Sequence, residues 1–179
     1  MTDRGEKTAT ARPRVMSRTR VYVPSTWAGL RDLVVSNGLG PPPMWAHAVT
    51  VGLRESYAEG GDEEWEYVAL TAAARSSLAL MAKDDVPRRV VVALDADTVL
   101  PGDVVEDPTV VQVGAAVPFR RVAAVLVDSA DAQRDVRAAR DAWAAADAGD
   151  AEAQRLVDRC LDRELAWFAA QEIGDLLAR

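Results

Sequence analysis

The sequence contains very few of the residues from which most catalytic and metal sites are built. Among its 179 residues there is one histidine, His47, and one cysteine, Cys160. A single cysteine cannot form an internal disulfide, which is typical of a reducing, cytoplasmic compartment. No cofactor is predicted. His47 lies in a predicted strand, where a buried, hydrogen-bonded histidine is favoured over a general base, and Cys160 is predicted to be a small core residue.

Long apolar runs are also missing. No segment approaches the roughly 20 apolar residues that span a bilayer, and the N-terminus has no apolar stretch of the kind found in signal peptides. No membrane partner is therefore predicted, and we expect a soluble cytoplasmic protein. The hydrophobic fraction of 49% is enough for the core of one domain.

The charge is unevenly distributed along the chain. The net charge is −7, although residues 1–20 carry six basic and only two acidic side chains. The acidic remainder repels phosphate backbones, so nucleic acid is not a predicted partner. Residues 1–19 are predicted to be a disordered basic extension and residues 20–179 a single globular domain. Met16 is an alternative start to Met1, and the sequence does not decide between them.

Four apolar runs predict β-strands, at residues 20–24, 45–51, 89–94 and 122–127. Helical spacing predicts helices at residues 26–35, 62–82, 129–148 and 150–177. Strand–helix–strand units favour parallel pairing, while the proline-rich loop 96–118 permits one short antiparallel strand. We therefore expect an α/β (or α+β) fold with a mixed sheet of four or five strands. The last two helices are expected to form a C-terminal hairpin.

Three aspartates follow two of the predicted strands. Asp95 and Asp97 come after the run 89–94, and Asp128 comes after the run 122–127. If these strands are parallel neighbours, the three carboxylates converge at one sheet edge, where Mg²⁺ could bind. If the strands are antiparallel, the carboxylates lie apart. The favoured interpretation is simpler: a solvated strand exit for Asp95 and Asp97, and a helix cap for Asp128.

The segment LRESYAEGGDEEWEYVAL is dense in polar and aromatic side chains. Its candidate binding residues are Arg54, Tyr57 and Glu64, because an arginine among carboxylates and tyrosines can form a cation-binding or acid–base pocket. A solvated, acidic helix start that packs Trp65 inward is the favoured alternative.

The last predicted helix is apolar around more than half of its circumference. Trp167, Gln171 and Glu172 are candidate binding residues there, with Trp167 and Gln171 one turn apart. A carboxylate in such surroundings must find a donor or remain protonated. A buried pair between Glu172 and an arginine is the favoured interpretation, and a Glu172 that faces a ligand is the alternative.

The segments RVYVPST, AVTVGLRESYAEGGDEEWEYVALTAAARSSL, RRVVVALD and ELAWFAAQEIGDLL together resemble a family of small, uncharacterised actinobacterial proteins, a domain of unknown function. Members typically begin at a strand that reads like Met-Arg-Val-Tyr-Val-Pro, so the resemblance covers residues 20–177 and leaves out residues 1–15. It implies an actinobacterial, cytoplasmic setting and assigns no catalytic residue.

Three functions are compatible with these patterns. The leading hypothesis is a non-enzymatic domain that binds an unknown protein or small ligand through residues 54–67 and the end of the last helix. The first alternative is a Mg²⁺-dependent hydrolase or transferase that uses Asp95, Asp97 and Asp128. The second is a structural domain that self-associates as a homodimer through the last helix.

Overall fold

A computed structural model describes residues 18–57, 60–102 and 107–178. The predicted basic extension, residues 1–19, lies outside the described residues except for Arg18 and Thr19, and Met16 lies outside them as well. Within the described part of the chain, no helix combines the length and the apolar character needed to cross a membrane.

Nine strands and six helices occur in these described ranges. The strands are β1 (Thr19–Ser25), β2 (Gly38–Leu39), β3 (Met44–His47), β4 (Val90–Ala96), β5 (Val99–Pro101), β6 (Val110–Val113), β7 (Val117–Pro118), β8 (Val122–Val127) and β9 (Ala166–Ala169). The helices are α1 (Trp27–Val35), α2 (Val51–Ser56), α3 (Asp62–Leu80), α4 (Gln133–Asp147), α5 (Ala151–Leu161) and α6 (Ile173–Leu177).

Seven strands form one sheet, in the order β5-β6-β3-β1-β4-β8-β9, and β2 pairs with β7 in a separate ribbon. All of these pairings are antiparallel. The expected combination of helices and a sheet is confirmed, but the prediction of a mixed sheet with four or five strands is wrong. After β1 the chain adds β3 on one side of it and later returns with β4 on the other side, running opposite to β1. The stretch 96–118 contributes three short strands rather than one.

The central strands are covered on both faces because alternate side chains point in opposite directions. Val21 and Val23 of β1 pack with α1 and α6. Tyr22 points to the other face, where it packs with three alanines of α3: Ala69, Ala73 and Ala74. The small alanine side chains let α3 lie close to the sheet. The face of the sheet that α3 covers also carries the candidate site.

The predicted C-terminal helical hairpin is present as α4 and α5. The turn between them contains Gly149, whose φ of 93° suits glycine, and Asp150, whose carboxylate caps α5 by accepting from the N–H groups of Glu152 and Ala153. The hairpin buries apolar side chains against the end of α3, among them Val136, Val157, Cys160, Leu78 and Met81. Cys160 is therefore a core residue as expected, and burial raises the pKa of its thiol to about 11.

The predicted continuation of the last helix to Leu177 is wrong. α5 ends at Leu161, and residues 166–169 form β9, which pairs with the edge of β8. Phe168 packs towards the core on one face of β9, whereas Trp167 points to the opposite face. Apolar residues on both faces of a short strand imitate a helix that is apolar on most sides. Without β9, the N–H and C=O groups along the outer edge of β8 would have no partners. A strand can pair with these groups, whereas a helix cannot, because its own backbone groups bond within the helix.

Candidate functional site

His47, the last residue of β3, faces α3 and is buried. It lies opposite Tyr22 in the antiparallel register of β1 and β3, and only 5% of its surface is exposed. Both ring nitrogens have partners from distant parts of the chain. The expectation of a buried histidine held by hydrogen bonds is therefore confirmed, and the imidazole is fixed in position and orientation.

A chain of four polar side chains runs through this imidazole. Nδ1 of His47 lies 2.7 Å from Thr109 Oγ1, and Nε2 lies 2.9 Å from Ser76 Oγ of α3. Thr109 Oγ1 donates to Asp107 Oδ1 at 2.5 Å, and the Thr109 N–H donates to the same oxygen at 2.9 Å. The network thus ties together β3, α3 and the segment that precedes β6.

The donors and acceptors of the network fix the tautomer of His47. An ionised carboxylate can only accept hydrogen bonds, so the Thr109 hydroxyl donates its hydrogen bond to Asp107. The Thr109 oxygen is then free to accept from Nδ1–H of His47. In a neutral ring Nε2 consequently carries a lone pair, and the Ser76 hydroxyl donates to it.

Burial favours this neutral imidazole. Desolvation lowers the pKa of His47 below the ordinary histidine value, and the Asp107 carboxylate, 3.8 Å from Nδ1, opposes this shift without reversing it. Burial, followed by the charge of Glu66, raises the pKa of Tyr22 across the strand pair, so that phenol is uncharged at neutral pH. A neutral base therefore directs its lone pair at Ser76.

Ser76 opens onto a cleft of about 630 Å³ between β3 and the C-terminal half of α3, here called the His47 cleft. Its polar lining comprises His47, Ser76 and Asp107, and its other side chains are mainly apolar, including Pro24, Met44, Trp45, Ala79 and Leu80. Trp45 is 52% exposed and Leu80 is 56% exposed. An apolar cleft of this size with a few fixed polar groups is typical of small-ligand sites.

Sequence reasoning missed three members of this network: Ser76, Asp107 and Thr109. Ser76 is 29 positions and Thr109 is 62 positions from His47, so no local motif unites them. The available signal was the pair of adjacent hydroxyls at 76 and 77, in the C-terminal half of a helix that packs on a sheet. Ser77 is fully buried, donates to the Ser25 carbonyl and accepts from Val90 N–H.

The structure brings together the candidates of the acidic segment. The Arg54 guanidinium lies 4.7 Å from the centre of the Trp65 ring and 3.4 Å from Asp62. Trp65 Nε1 donates to the Tyr57 carbonyl, and the Glu64 carboxylate accepts from Gly61 N–H at the start of α3. Tyr57, Glu64 and Trp65 also line a surface groove of about 780 Å³. A contact surface at this groove stays a prediction.

The candidates near the C-terminus are not buried together. Trp167 is 61% exposed on β9, and Gln171 and Glu172 are exposed in the turn that follows it. The favoured pair between a buried Glu172 and an arginine is wrong, because the Glu172 carboxylate accepts from Ala169 N–H at 2.7 Å and caps the turn. The residue leaves the interior because the predicted helix is a strand followed by this turn.

The three aspartates do not converge. Asp95 lies 2.8 Å from Arg20, and Asp97 lies 3.0 Å from Arg121 at the same end of β4. Because β4 and β8 are antiparallel, Asp128 lies beside Arg89 at the opposite end, roughly 20 Å away at the rise of a strand. Among the described residues, no group of three histidine, cysteine, aspartate or glutamate side chains is placed to hold a metal ion. The convergence that parallel pairing would produce is therefore absent.

Asp128 instead forms a buried ion pair with Arg89. Their side chains are 0% and 1% exposed. Arg89 Nε and Nη2 donate to the two carboxylate oxygens at 2.9 and 2.8 Å, and Arg89 N–H donates to Oδ2 at 2.7 Å. Arg89 Nη2 also donates to the Arg163 carbonyl. The favoured role of Asp128 as a helix cap is wrong, because its carboxylate is occupied by Arg89.

The fold and the cleft together define an α/β protein with a large antiparallel sheet and a histidine-containing cleft on the α3 face. Residues 19–177 match a family of unknown function (DUF6912), and the chain belongs to that family. The predicted membership of a family of unknown function is thereby confirmed, whereas the actinobacterial setting stays a prediction. No curated protein and no solved structure matches the chain.

Proposed function

We propose that this protein binds a small, largely apolar molecule in the His47 cleft. The observation that carries the proposal is the neutral pair of His47 and Ser76 on the floor of an otherwise mainly apolar cleft. Buried polar groups are costly unless they are partnered. A polar pair whose imidazole is held by Thr109, and which lines an open cleft, is suited to orient a bound molecule.

The lining indicates the chemistry of this ligand. Trp45 and Leu80 offer apolar surface to the body of the ligand. The Ser76 hydroxyl donates its hydrogen bond to His47, and its oxygen keeps lone pairs that can accept a hydrogen bond from the ligand. A ligand with an apolar body and one polar group fits this arrangement. A multiply charged anion does not, because Asp107 also lines the cleft and would repel it. The proposed ligand site thus lies at the opposite end of α3 from the 54–67 segment. Binding through that segment and the end of the predicted last helix stays a prediction.

Binding can be tested with N-phenyl-1-naphthylamine, a neutral apolar dye whose fluorescence rises when it leaves water. Titration of the full chain is expected to show saturable binding. Trp45→Ala should weaken it about tenfold, which corresponds to about 1.4 kcal/mol of lost contact. Trp167→Ala is the matched control, because it removes another exposed tryptophan of the same sheet and should leave the affinity unchanged.

A second pair of variants keeps the test independent of aromatic emission. Leu80→Glu places a charge at the apolar wall of the cleft and should abolish dye binding, whereas Val35→Glu places the same charge on a residue that is 86% exposed at the end of α1. Equal dye affinity in all four variants and the wild type would contradict the proposal.

A further inference from the structure

We infer that Ser76 accepts an acyl group from activated esters bound in the His47 cleft, with His47 as the base that activates its hydroxyl. This inference rests on the proposed function, because the ester is the small apolar molecule that the cleft would bind. It goes further by assigning a chemical reaction and a substrate class, the aryl esters and thioesters of small apolar acids.

The geometry contains the three parts that an activated nucleophile requires. The nucleophile is the half-buried Ser76 hydroxyl, which lines the cleft. The base is His47, whose Nε2 lies 2.9 Å from Ser76 Oγ. The orienting group is Thr109, which accepts from Nδ1 and relays to Asp107. Serine, histidine and carboxylate thus occur in the order of a hydrolytic triad, with a threonine hydroxyl inserted between the last two.

The neighbouring serine shows that this arrangement is specific to position 76. Ser77 is equally a helix hydroxyl, yet its oxygen both donates to the Ser25 carbonyl and accepts from Val90 N–H, and it is fully buried. Both of its partners are backbone groups of the sheet, so Ser77 holds α3 in place. Ser76 faces a titratable base and an open cleft, which a purely structural hydroxyl does not need.

The proposed reaction balances without any co-reactant other than water. Ser76 Oγ attacks the ester carbonyl carbon while its proton passes to His47 Nε2, and a new C–O bond forms. The bond to the leaving oxygen or sulfur then breaks as His47 returns the proton to it. In the second half, water attacks the acyl carbon while His47 Nε2 takes a proton from it. The bond between the acyl carbon and Ser76 Oγ then breaks, and His47 returns the proton to Oγ, which releases the acid and regenerates Ser76.

The position of Ser76 within a helix restricts the substrate. Its N–H lies within the C-terminal half of α3 and is used by the helical hydrogen bond to the fourth residue before it. It therefore cannot stabilise the oxyanion of a tetrahedral intermediate, a contribution worth about 10²–10³ in rate in enzymes that have it. Substrates with a good leaving group depend least on such assistance, which is why activated esters are the inferred class and peptides are not.

The experiment uses p-nitrophenyl acetate with the full chain near neutral pH. Wild type should release p-nitrophenol with an initial burst close to one equivalent, and peptide mass spectrometry should find one acetyl group on Ser76. Ser76→Ala should abolish the burst, because it removes the nucleophile. His47→Gln should slow the burst about 100-fold or more, the lower range of general-base assistance. Ser56→Ala, which removes an exposed serine bonded within α2, should change nothing.

Two further measurements separate the possible failures. Ser76→Cys keeps a nucleophile beside His47 and should carry the acetyl group as a thioester. This positive result does not depend on whether Ser76→Ala or His47→Gln folds correctly. N-phenyl-1-naphthylamine binding is measured on the same samples. Dye binding without acetylation at position 76 overturns this inference and leaves the proposed function standing, whereas absence of both overturns both. Acetylation confined to other side chains also overturns the inference.

Discussion

Two buried polar networks lie on this sheet, and they differ in whether they are closed. The pair Arg89–Asp128 is sealed: both side chains are almost fully buried and their hydrogen bonds end within the protein. The network of His47 is buried at His47 and Thr109, and it reaches the cleft at Ser76 and at Asp107.

This difference separates a structural role from a functional one. A closed, charged network fixes the start of β4 against the end of β8, and removing one partner leaves a buried charge unpaired. A network that ends in a neutral pair at an open cleft can exchange one hydrogen bond for a bond to water or ligand at little cost. We therefore expect mutations in the closed network to act on stability and mutations at the open end to act on binding and chemistry.

The largest effect on stability is expected for Asp128→Ala. It strands the Arg89 guanidinium in the interior, which should lower the free energy of unfolding by about 3–5 kcal/mol. Urea titration followed by tryptophan fluorescence measures this loss. Asp95→Ala is the matched control, because it breaks the exposed pair with Arg20 and should cost about 0.2–1 kcal/mol. Equal losses in the two variants would show that burial does not distinguish these pairs.

The adjacent serines of α3 provide a finer comparison. Ser77→Ala removes a buried hydroxyl with two backbone partners and should cost about 1–3 kcal/mol. Ser76→Ala should cost less than about 1 kcal/mol, because cleft water can replace the hydroxyl at His47 Nε2. The same urea titrations apply. A reversed order would place the structural serine at position 76 and remove the physical basis of the open end.

The smallest effect is a pH dependence that originates at His47. Burial lowers its pKa in the folded protein, so the unfolded chain protonates first as the pH falls below about 6.5. The stabilising contribution is thus fully present above that value and is lost as the pH falls through the folded pKa. The groups that face the ring are Asp107, Thr109, Ser76 and the uncharged Tyr22.

The free energies of unfolding of wild type and His47→Gln, measured at about pH 7 and about pH 5.5, isolate this contribution, because the remaining titratable groups are the same in both proteins. The stability advantage of wild type over the variant should be smaller at the lower pH. An advantage that grows on acidification would mean that the folded protein favours the charged imidazole.

Much of the fold followed from local patterns. The apolar runs that became β1, β4 and β8 were predicted because continuous apolar strands are typical of a sheet covered on both faces. The helix α3 and the hairpin of α4 and α5 followed from helical spacing and from the turn at Gly149. Strand direction did not follow from the sequence. A helix between two strands permits a crossover that makes the strands parallel, but it also permits an antiparallel return, which this chain adopts.

The candidate site was largely inaccessible to sequence reasoning. His47 was predicted to be buried and hydrogen-bonded, but its partners come from α3 and from the segment before β6, and only the tertiary fold brings them together. Conversely, Glu172 was predicted to be buried because residues 150–177 have helical spacing, but the chain forms a strand and a turn near Glu172. Asp128 was predicted to be a helix cap, with a metal ligand as the alternative, and its partner Arg89 became apparent only from the antiparallel pairing of β4 and β8.

The roles of His47 and Ser76 depend on a neutral imidazole with the proton on Nδ1 and the lone pair of Nε2 directed at Ser76. Nitrogen-15 NMR of the histidine-labelled protein near neutral pH tests this directly, since this sequence has one histidine. We expect a protonated signal for Nδ1 and an unprotonated signal for Nε2. A proton on Nε2, or on both nitrogens, would contradict it, because Ser76 would then have no acceptor for its hydroxyl proton.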